Sequence, residues 1–410
     1  MPAGLLAIAA VLGVVVAIQP MIALATVAAA LLAYLVFSDL AGGLAVLVFV
    51  SLVASVPAAG SVTPAKAIGL FVAIGWLARY TVGGRGERDF FADHAYLAWM
   101  MLVFLGWSAL TLLWAPETGA GLTTISQDLL DLLLLPIAYT AVRSRRDLLV
   151  VLGAFVLGAA IAACVGIVQP PDPSVVESTR ATGTIGDPNE FSAALLGGLA
   201  LAAGFAAARG SSPVVRLGGL CVMPLCALGM FLSLSRGGLI ALVVTFLVGT
   251  VAAGRWRGAL LAVLLAVAGG GILYFTQLAP LPARERVLTN HGGDGRAELW
   301  KVGMRIVTAK PVGGVGVGNF TAGSRQYDLQ PGELRNAQQI FTNQPFPAHN
   351  TYLQTAAEEG IPGLLMVLTI LFACMRSAWR AAAIAARRRD ITLEAFSRGV
   401  FLALVGMLTA

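Results

Sequence analysis

The stretch "RSRRDLLVVLGAFVLGAAIAACVGIV", Arg143 to Val168, decides the fold. Three arginines open it, and no charged residue occurs from Leu148 to Val168. About 20 apolar residues let an α-helix cross the hydrocarbon core of a bilayer. A strand of a membrane barrel would alternate apolar and polar positions instead, and no such alternation is present. The stretch therefore reads as a basic loop leading into a membrane helix.

The pattern recurs along the chain. The hydrophobic fraction is 58% and the charged fraction 12%, with a mean hydropathy of +0.84. A soluble domain carries about twice that charge. Spans are expected at Gly4–Ile18, Met21–Phe37, Leu40–Pro57, Ala65–Val82, Ala95–Trp114, Asp128–Val142, Leu148–Val168, Phe191–Ala208, Val214–Leu234, Gly238–Ala253, Gly258–Phe275 and Tyr352–Met375. This is an all-α polytopic integral membrane protein of about 12 transmembrane helices. The first two runs flank Gln19–Pro20 and read as two helices or one kinked element. The N-terminus "MPAGLLAIAA" lacks a basic region and a clear cleavage site, so it reads as a first span and not a signal peptide. A last run begins near Phe396 and breaks off at Ala410, so the chain is expected to be truncated there.

Charge sorts the loops. Arg85 and Arg88, Arg143 to Arg146, Arg209 and Arg216, Arg255 and Arg257, and Arg387 to Arg389 mark one side. Between them lie Ala115–Gln127, Gln169–Asn189 and the tight turn at Ser235–Arg236, which are poor in Lys and Arg. The positive-inside rule makes the basic side cytoplasmic. A large loop over 277–348 then falls outside. It is longer than the loops of up to about 60 residues whose charge sets topology. Trp300, Ile306, Phe320 and Phe341 within it suggest that it folds against the membrane region. Two regions follow: N-terminal helices over 1–169, and a second membrane region over 170–410 that includes the loop. The net charge of +6 belongs to this topology and is no nucleic-acid signal. Cys164, Cys221, Cys226 and Cys374 lie in apolar runs without a CxxC pair, so they read as small apolar helix residues.

With this topology four residues share the outer face. Arg236, in "LSLSRGGLIAL", interrupts two apolar runs with almost no loop around it. An arginine near membrane depth usually faces a cavity or partner, although it can also snorkel to the interface. Arg296, in "GGDGRAELWKVGMRIV", falls on the helical face of Leu299, Trp300, Gly303 and Val307, opposite Glu298, Lys301 and Arg305. Asp294 could cap that helix. A solvated first-turn arginine is the plainer alternative. Arg180, in "STRATGTIGDPNEF", is the weakest of the four, because loop arginines are mostly solvated and its neighbours Asp187 and Glu190 would add little. His349, in "PFPAHNTYLQTAAEEGIPG", precedes a helical run. Its imidazole can accept a proton near neutral pH, or it can simply be a hydrogen-bonded interface residue. Glu358 and Glu359 lie too far along a straight helix to orient it.

No HExxH or comparable ligand spacing occurs, so no metal is expected, and nothing calls for a cofactor. The glycines of "KPVGGVGVGNF", Lys310 to Phe320, imitate a nucleotide loop but lack its lysine and its βαβ setting. A turn of positive-φ residues is the better reading, with a backbone nest that could meet phosphate as a further option.

Cationic side chains and one base at a membrane face suit a lipid-linked diphosphate. Arginine's planar fork matches phosphate and stays charged. In glycosyl transfer from such a donor, fixed cations stabilise the departing diphosphate and a histidine takes the acceptor's proton. An anion transporter for a bicarbonate-like solute remains a second reading. It would place basic residues at several depths, whereas these gather at one face. A flippase would need a polar groove through the bilayer.

The segments "RATGTIGDPNEF", "LSLSRGGLIAL", "GRAELWKVGMRIVTAKPVGGVGVGNF" and "PAHNTYLQTAAEEGIPGLL" also resemble, in order and spacing, the O-antigen ligase and O-antigen polymerase family. They run from about Arg180 to Leu365. The resemblance implies a GT-C-type architecture and a metal-independent, inverting transfer of glycan from an undecaprenyl-diphosphate donor. The acceptor would be a sugar hydroxyl of another glycan or of a lipid A-core-type molecule. The reaction would occur on the periplasmic face of the bacterial inner membrane, in lipopolysaccharide or surface-polysaccharide synthesis. It implies diphosphate contacts for Arg236 and Arg296, less securely for Arg180, and a base or acceptor-positioning role for His349.

Overall fold

Among the described residues the apolar stretches are helical and no strand occurs. The computed structural model describes residues 30–54, 63–82, 88–169, 180–279, 284, 294–328 and 347–410. Two units divide them. The expected span Gly4–Ile18, most of Met21–Phe37, and Phe341 lie outside the described residues.

The first unit comprises residues up to Arg88 together with Ile137–Gly158. Its helices α1 (Leu40–Val53) and α2 (Pro64–Val82) meet through small residues. Val36 fills the space a side chain would take at Gly43 and Gly75. Asp39 caps α1 by accepting from the amides of Ala41 and Gly42, each at 3.1 Å.

The second unit, Asp89–Pro136 with Ala159–Ala410, holds Arg180, Arg236, Arg296 and His349. Its helices are α3 (Ala95–Thr111), α4 (Thr118–Ala141), α5 (Arg145–Val168), α6 (Pro188–Ala207), α7 (Pro213–Leu232), α8 (Arg236–Ala252) and α9 (Arg257–Leu273). They continue with α10 (Asp294–Ala309), α11 (Phe320–Asp328), α12 (Thr351–Arg387) and α13 (Ile391–Thr409). The chain passes between units within α4, at Pro136, and within α5, at Gly158.

Helix α6 is the centre of this unit, with most of its residues buried. Asp187 caps it by accepting from the amides of Asn189 and Glu190, and Pro188 follows at the first turn, where its missing N–H costs nothing. Gly204 and Gly399 let α6 and α13 approach closely: a Cβ on Gly204 would lie 3.1 Å from the Ala395 carbonyl. Small residues at such a crossing permit the packing that holds helices together in lipid.

Eight helices among the described residues are long and apolar enough to span a membrane, and α1 and α8 are shorter apolar helices. The chain is an all-helical, multi-spanning membrane protein. One expected loop, Ala115–Gln127, is mostly helix, since α4 begins at Thr118. The reason is local. Thr123, Thr124 and Ser126 return their hydroxyl protons to the carbonyls of Gly119, Ala120 and Leu122, so these polar side chains are satisfied within the helix. The run expected over Tyr352–Met375 is the upper part of the longer α12, and the last run starts at Ile391.

Candidate functional site

Arg180 is 7% exposed, against the expectation of a solvated loop side chain. Its Nε donates to the Ser233 carbonyl at 2.9 Å, and a terminal nitrogen donates to Asn189 Oδ1 at 3.1 Å. Asn189 Oδ1 also accepts from Ser235 Oγ at 2.9 Å. Ser235 in turn caps α8, accepting from the Gly238 amide at 3.2 Å. One amide side chain thus joins the segment of Arg180, the start of α6 and the turn that ends in Arg236. That turn holds Leu234 at φ 50, a left-handed conformation uncommon for a branched apolar residue. Burial of Leu234 with Ala279, beside Tyr274 and Phe275, holds it there. Arg236, the first residue of α8, is half-buried.

His349 is exposed and also left-handed, at φ 50. Its backbone is fixed from both sides. The preceding Ala348 is fully buried, and its carbonyl accepts from Trp300 Nε1 at 3.1 Å. The following Asn350 caps α12, accepting from the Leu353 amide at 3.0 Å. Unusual backbone conformations of this kind persist only where the surroundings impose them.

Two contacts connect the two turns. A Cβ on Gly237 would meet the Ala410 carbonyl at 2.9 Å, and Tyr352 donates its hydroxyl proton to the Leu408 carbonyl at 2.6 Å. The C-terminal end of α13 therefore lies against the residue after Arg236 and against the first turn after His349.

Arg296 lies in the first turn of α10. The buried stripe of that helix is Glu298, Leu299, Val302, Gly303 and Ile306, not the expected face of Leu299, Trp300, Gly303 and Val307. Glu298 was expected in water, yet it is 5% exposed, and among the described residues one of its carboxylate oxygens has no hydrogen-bond partner. The stripe shifts because Val302 and Ile306 join Val315, Phe320 and Ala348 in one apolar cluster. That cluster sets α10 beside His349.

The glycine loop is built around an acid. Gly314, Gly316 and Gly318 all have positive φ, as a turn requires. The amides of Gly318 and Phe320 donate to Glu358 at 2.7 and 3.1 Å, and Gln354 adds a third donor at 3.0 Å. The nest that could have met a phosphate is thus filled by the protein's own carboxylate. Helix α12 breaks at Gly360, with φ 72 and ψ −178. The break frees three carbonyls, and each finds a donor: Val315 to Ala357 at 2.9 Å, Gly316 to Glu358 at 2.8 Å, and Trp107 Nε1 to Glu359 at 2.8 Å. Pro362 could not have bonded back along the helix in any case.

A cavity of about 440 Å³ opens beside Thr351, two residues from His349. Thr124, Asp128, Asp131, Gln354 and Glu359 are among its polar walls. Among the described residues no group of three or more His, Cys, Asp or Glu is arranged to hold a metal ion.

Sequence reading passed over Asn189 and Tyr352 and the parts played by Trp300 and Glu358. Ser235 was within reach of it, as a serine directly before a helical run is a capping signal. The others act through contacts between segments far apart in the chain.

Residues 221–368 match the family model described as O-antigen ligase. Over these residues the chain is similar to the O-antigen ligase family. The match includes Arg236, Arg296, His349 and the Glu358-centred loop, and begins after Arg180. It supports glycan ligase or polymerase activity on lipid-linked glycans and lends none to the anion-transport alternative. A comparison with curated proteins found no match.

Proposed function

We propose that this chain, similar to the O-antigen ligases over residues 221–368, moves a glycan from an undecaprenyl-diphosphate donor to a sugar hydroxyl at the outer face of the cytoplasmic membrane. The observation that carries this reading is the convergence of the Arg236 turn and the His349 turn on one end of α13. Arg180 is joined to the first turn through Asn189, and Arg296 stands one helical turn before the Trp300 that binds next to His349.

In the reaction the acceptor oxygen attacks the anomeric carbon as the bond to the diphosphate breaks. The imidazole of His349 takes the acceptor's proton. Arg236 and Arg296, with Arg180 behind them, stabilise the charge that grows on the departing undecaprenyl diphosphate. Attack from the face opposite the leaving group inverts the anomeric centre. A diphosphate leaves readily, so one base and several fixed cations suffice and no metal is needed. We assign the acceptor sugar to the cavity beside Thr351, whose carboxylate and amide walls suit hydroxyl groups.

The test is reconstitution of the purified protein with an undecaprenyl-diphosphate oligosaccharide, with and without a separate acceptor, beside His349→Ala. Ladders without added acceptor identify a polymerase; product only with acceptor identifies a ligase. Equal turnover by wild type and His349→Ala would remove the histidine from the mechanism.

A further inference from the structure

A second cavity, of about 300 Å³, lies toward the other end of α6. Helix α6 starts at the Arg180–Asn189–Ser235 junction and ends at Ala207, a run of 20 residues and thus about 30 Å. The cavity is therefore well separated from the turns of Arg236 and His349. Leu199, Met223, Phe246, Leu260 and Leu402, from five different helices, form apolar walls. Its rim is basic: Arg209, Arg216 and Arg398 line it, and Trp256 stands among them. Tryptophan is enriched where a membrane meets water, so this rim has the character of a headgroup level.

The charges at the rim do not cancel. Buried Glu394 binds Arg398 at 2.8 Å and faces Arg255 at 3.0 Å, so one carboxylate serves two guanidinium groups. Asp390 caps α13 by accepting from the Leu393 amide. Arg216 donates to the Ala206 carbonyl, a neutral acceptor, at 3.4 Å. Among the described residues neither Arg209 nor Arg216 is paired with a carboxylate. Arg257 adds a further positive charge at this end.

We propose that this cavity binds one anionic phospholipid, with an acyl chain between the apolar walls and the phosphate at Arg209 and Arg216. An apolar slot alone would accept any chain. The uncompensated arginines at its mouth select a negative headgroup over a zwitterionic one. Inorganic phosphate would use the rim but leave the slot empty. The lipid is distinct from the glycan donor, whose diphosphate would belong to the opposite end of these helices.

The experiment is native mass spectrometry of the full chain in mild detergent, with phosphatidylglycerol or phosphatidylcholine of identical acyl chains. Wild type is expected to retain one phosphatidylglycerol in preference to phosphatidylcholine. The double variant R209Q/R216Q should lower phosphatidylglycerol retention at least about fivefold, since each arginine near the membrane surface contributes to anionic-lipid attraction. Ala203→Trp, which fills the cavity, should lower retention of both lipids. R143Q/R145Q, at a basic turn remote in sequence, should leave retention unchanged. Equal retention of the two lipids by wild type overturns the proposal. So does an undiminished phosphatidylglycerol signal in R209Q/R216Q, or an equal loss in R143Q/R145Q.

Discussion

Trp300 Nε1 reaches the carbonyl of Ala348 at 3.1 Å, which ties the helix of Arg296 to the residue before His349. The bond crosses between two segments of different kind. Helix α10 is polar overall, whereas α12 opens a membrane span. Trp300 itself is 43% exposed, so its indole N–H is the part of the side chain with a fixed task.

Trp300→Phe keeps the aromatic body and removes that donor. A net hydrogen bond is worth about 1 kcal/mol, which corresponds to a loss of about fivefold if the bond positions the two turns. The initial rate of glycan transfer is expected to fall by about that factor, with the protein still inserted and monodisperse. An unchanged rate would show that α10 is placed by its apolar cluster alone.

Arg236→Lys separates charge from geometry. Lysine retains the positive charge but not the planar fork that holds a diphosphate through two parallel bonds. Turnover is expected to fall at least about tenfold in Arg236→Lys and further in Arg236→Ala, because a charge-assisted bond is worth about 1.5–3 kcal/mol. Both variants should reach the membrane at wild-type levels, since Ser235, not Arg236, supplies the helix cap. Initial rates at saturating donor, with membrane protein quantified by blot, decide the matter.

Much of the fold was readable because lipid leaves the chain few options. Each long uncharged run had to be a helix, and the ends of α6, α7 and α8 fall within about three residues of the expected spans, in keeping with usual boundary error. Where the reading failed, polar side chains had a partner the sequence does not display. Thr123, Thr124 and Ser126 looked like a loop because their hydroxyls return to carbonyls of their own helix. Glu298 looked solvated because helical periodicity alone cannot say where a neighbouring cluster will pull the buried stripe. The candidate site was read from the sequence as residue types expected at one face. The Asn189 junction and the Glu358 lock were not, as each joins segments distant in the chain.

Gly360 should not tolerate a side chain. Its φ of 72 and ψ of −178 lie in a region that only glycine adopts, and a Cβ there would collide with the Val312 carbonyl. The conformational term alone is about 1–3 kcal/mol. Gly360→Ala is expected to lower the thermal unfolding midpoint in detergent markedly. Glu358→Gln should lower it too, by loss of charge-assisted bonds to the amides of Gly318 and Phe320 worth about 1.5–3 kcal/mol each. Unfolding midpoints equal to wild type in both variants would mean that the glycine loop does not brace the break in α12.

Asn189→Asp asks whether the charge of Arg180 reaches the donor. The substitution preserves shape and the Oδ1 that accepts from both Arg180, at 3.1 Å, and Ser235, at 2.9 Å. It replaces a neutral acceptor with a carboxylate that pairs the guanidinium. If the positive charge of Arg180 helps hold a diphosphate, KM for the lipid-linked donor should rise several-fold while the unfolding midpoint stays level or rises. If Arg180 only braces the turn before Arg236, KM stays unchanged in Asn189→Asp. Asn189→Ala, which removes the acceptor from both partners, would then lower stability and kcat together. Donor titrations of the two variants beside wild type therefore separate an electrostatic part in binding from a purely structural one.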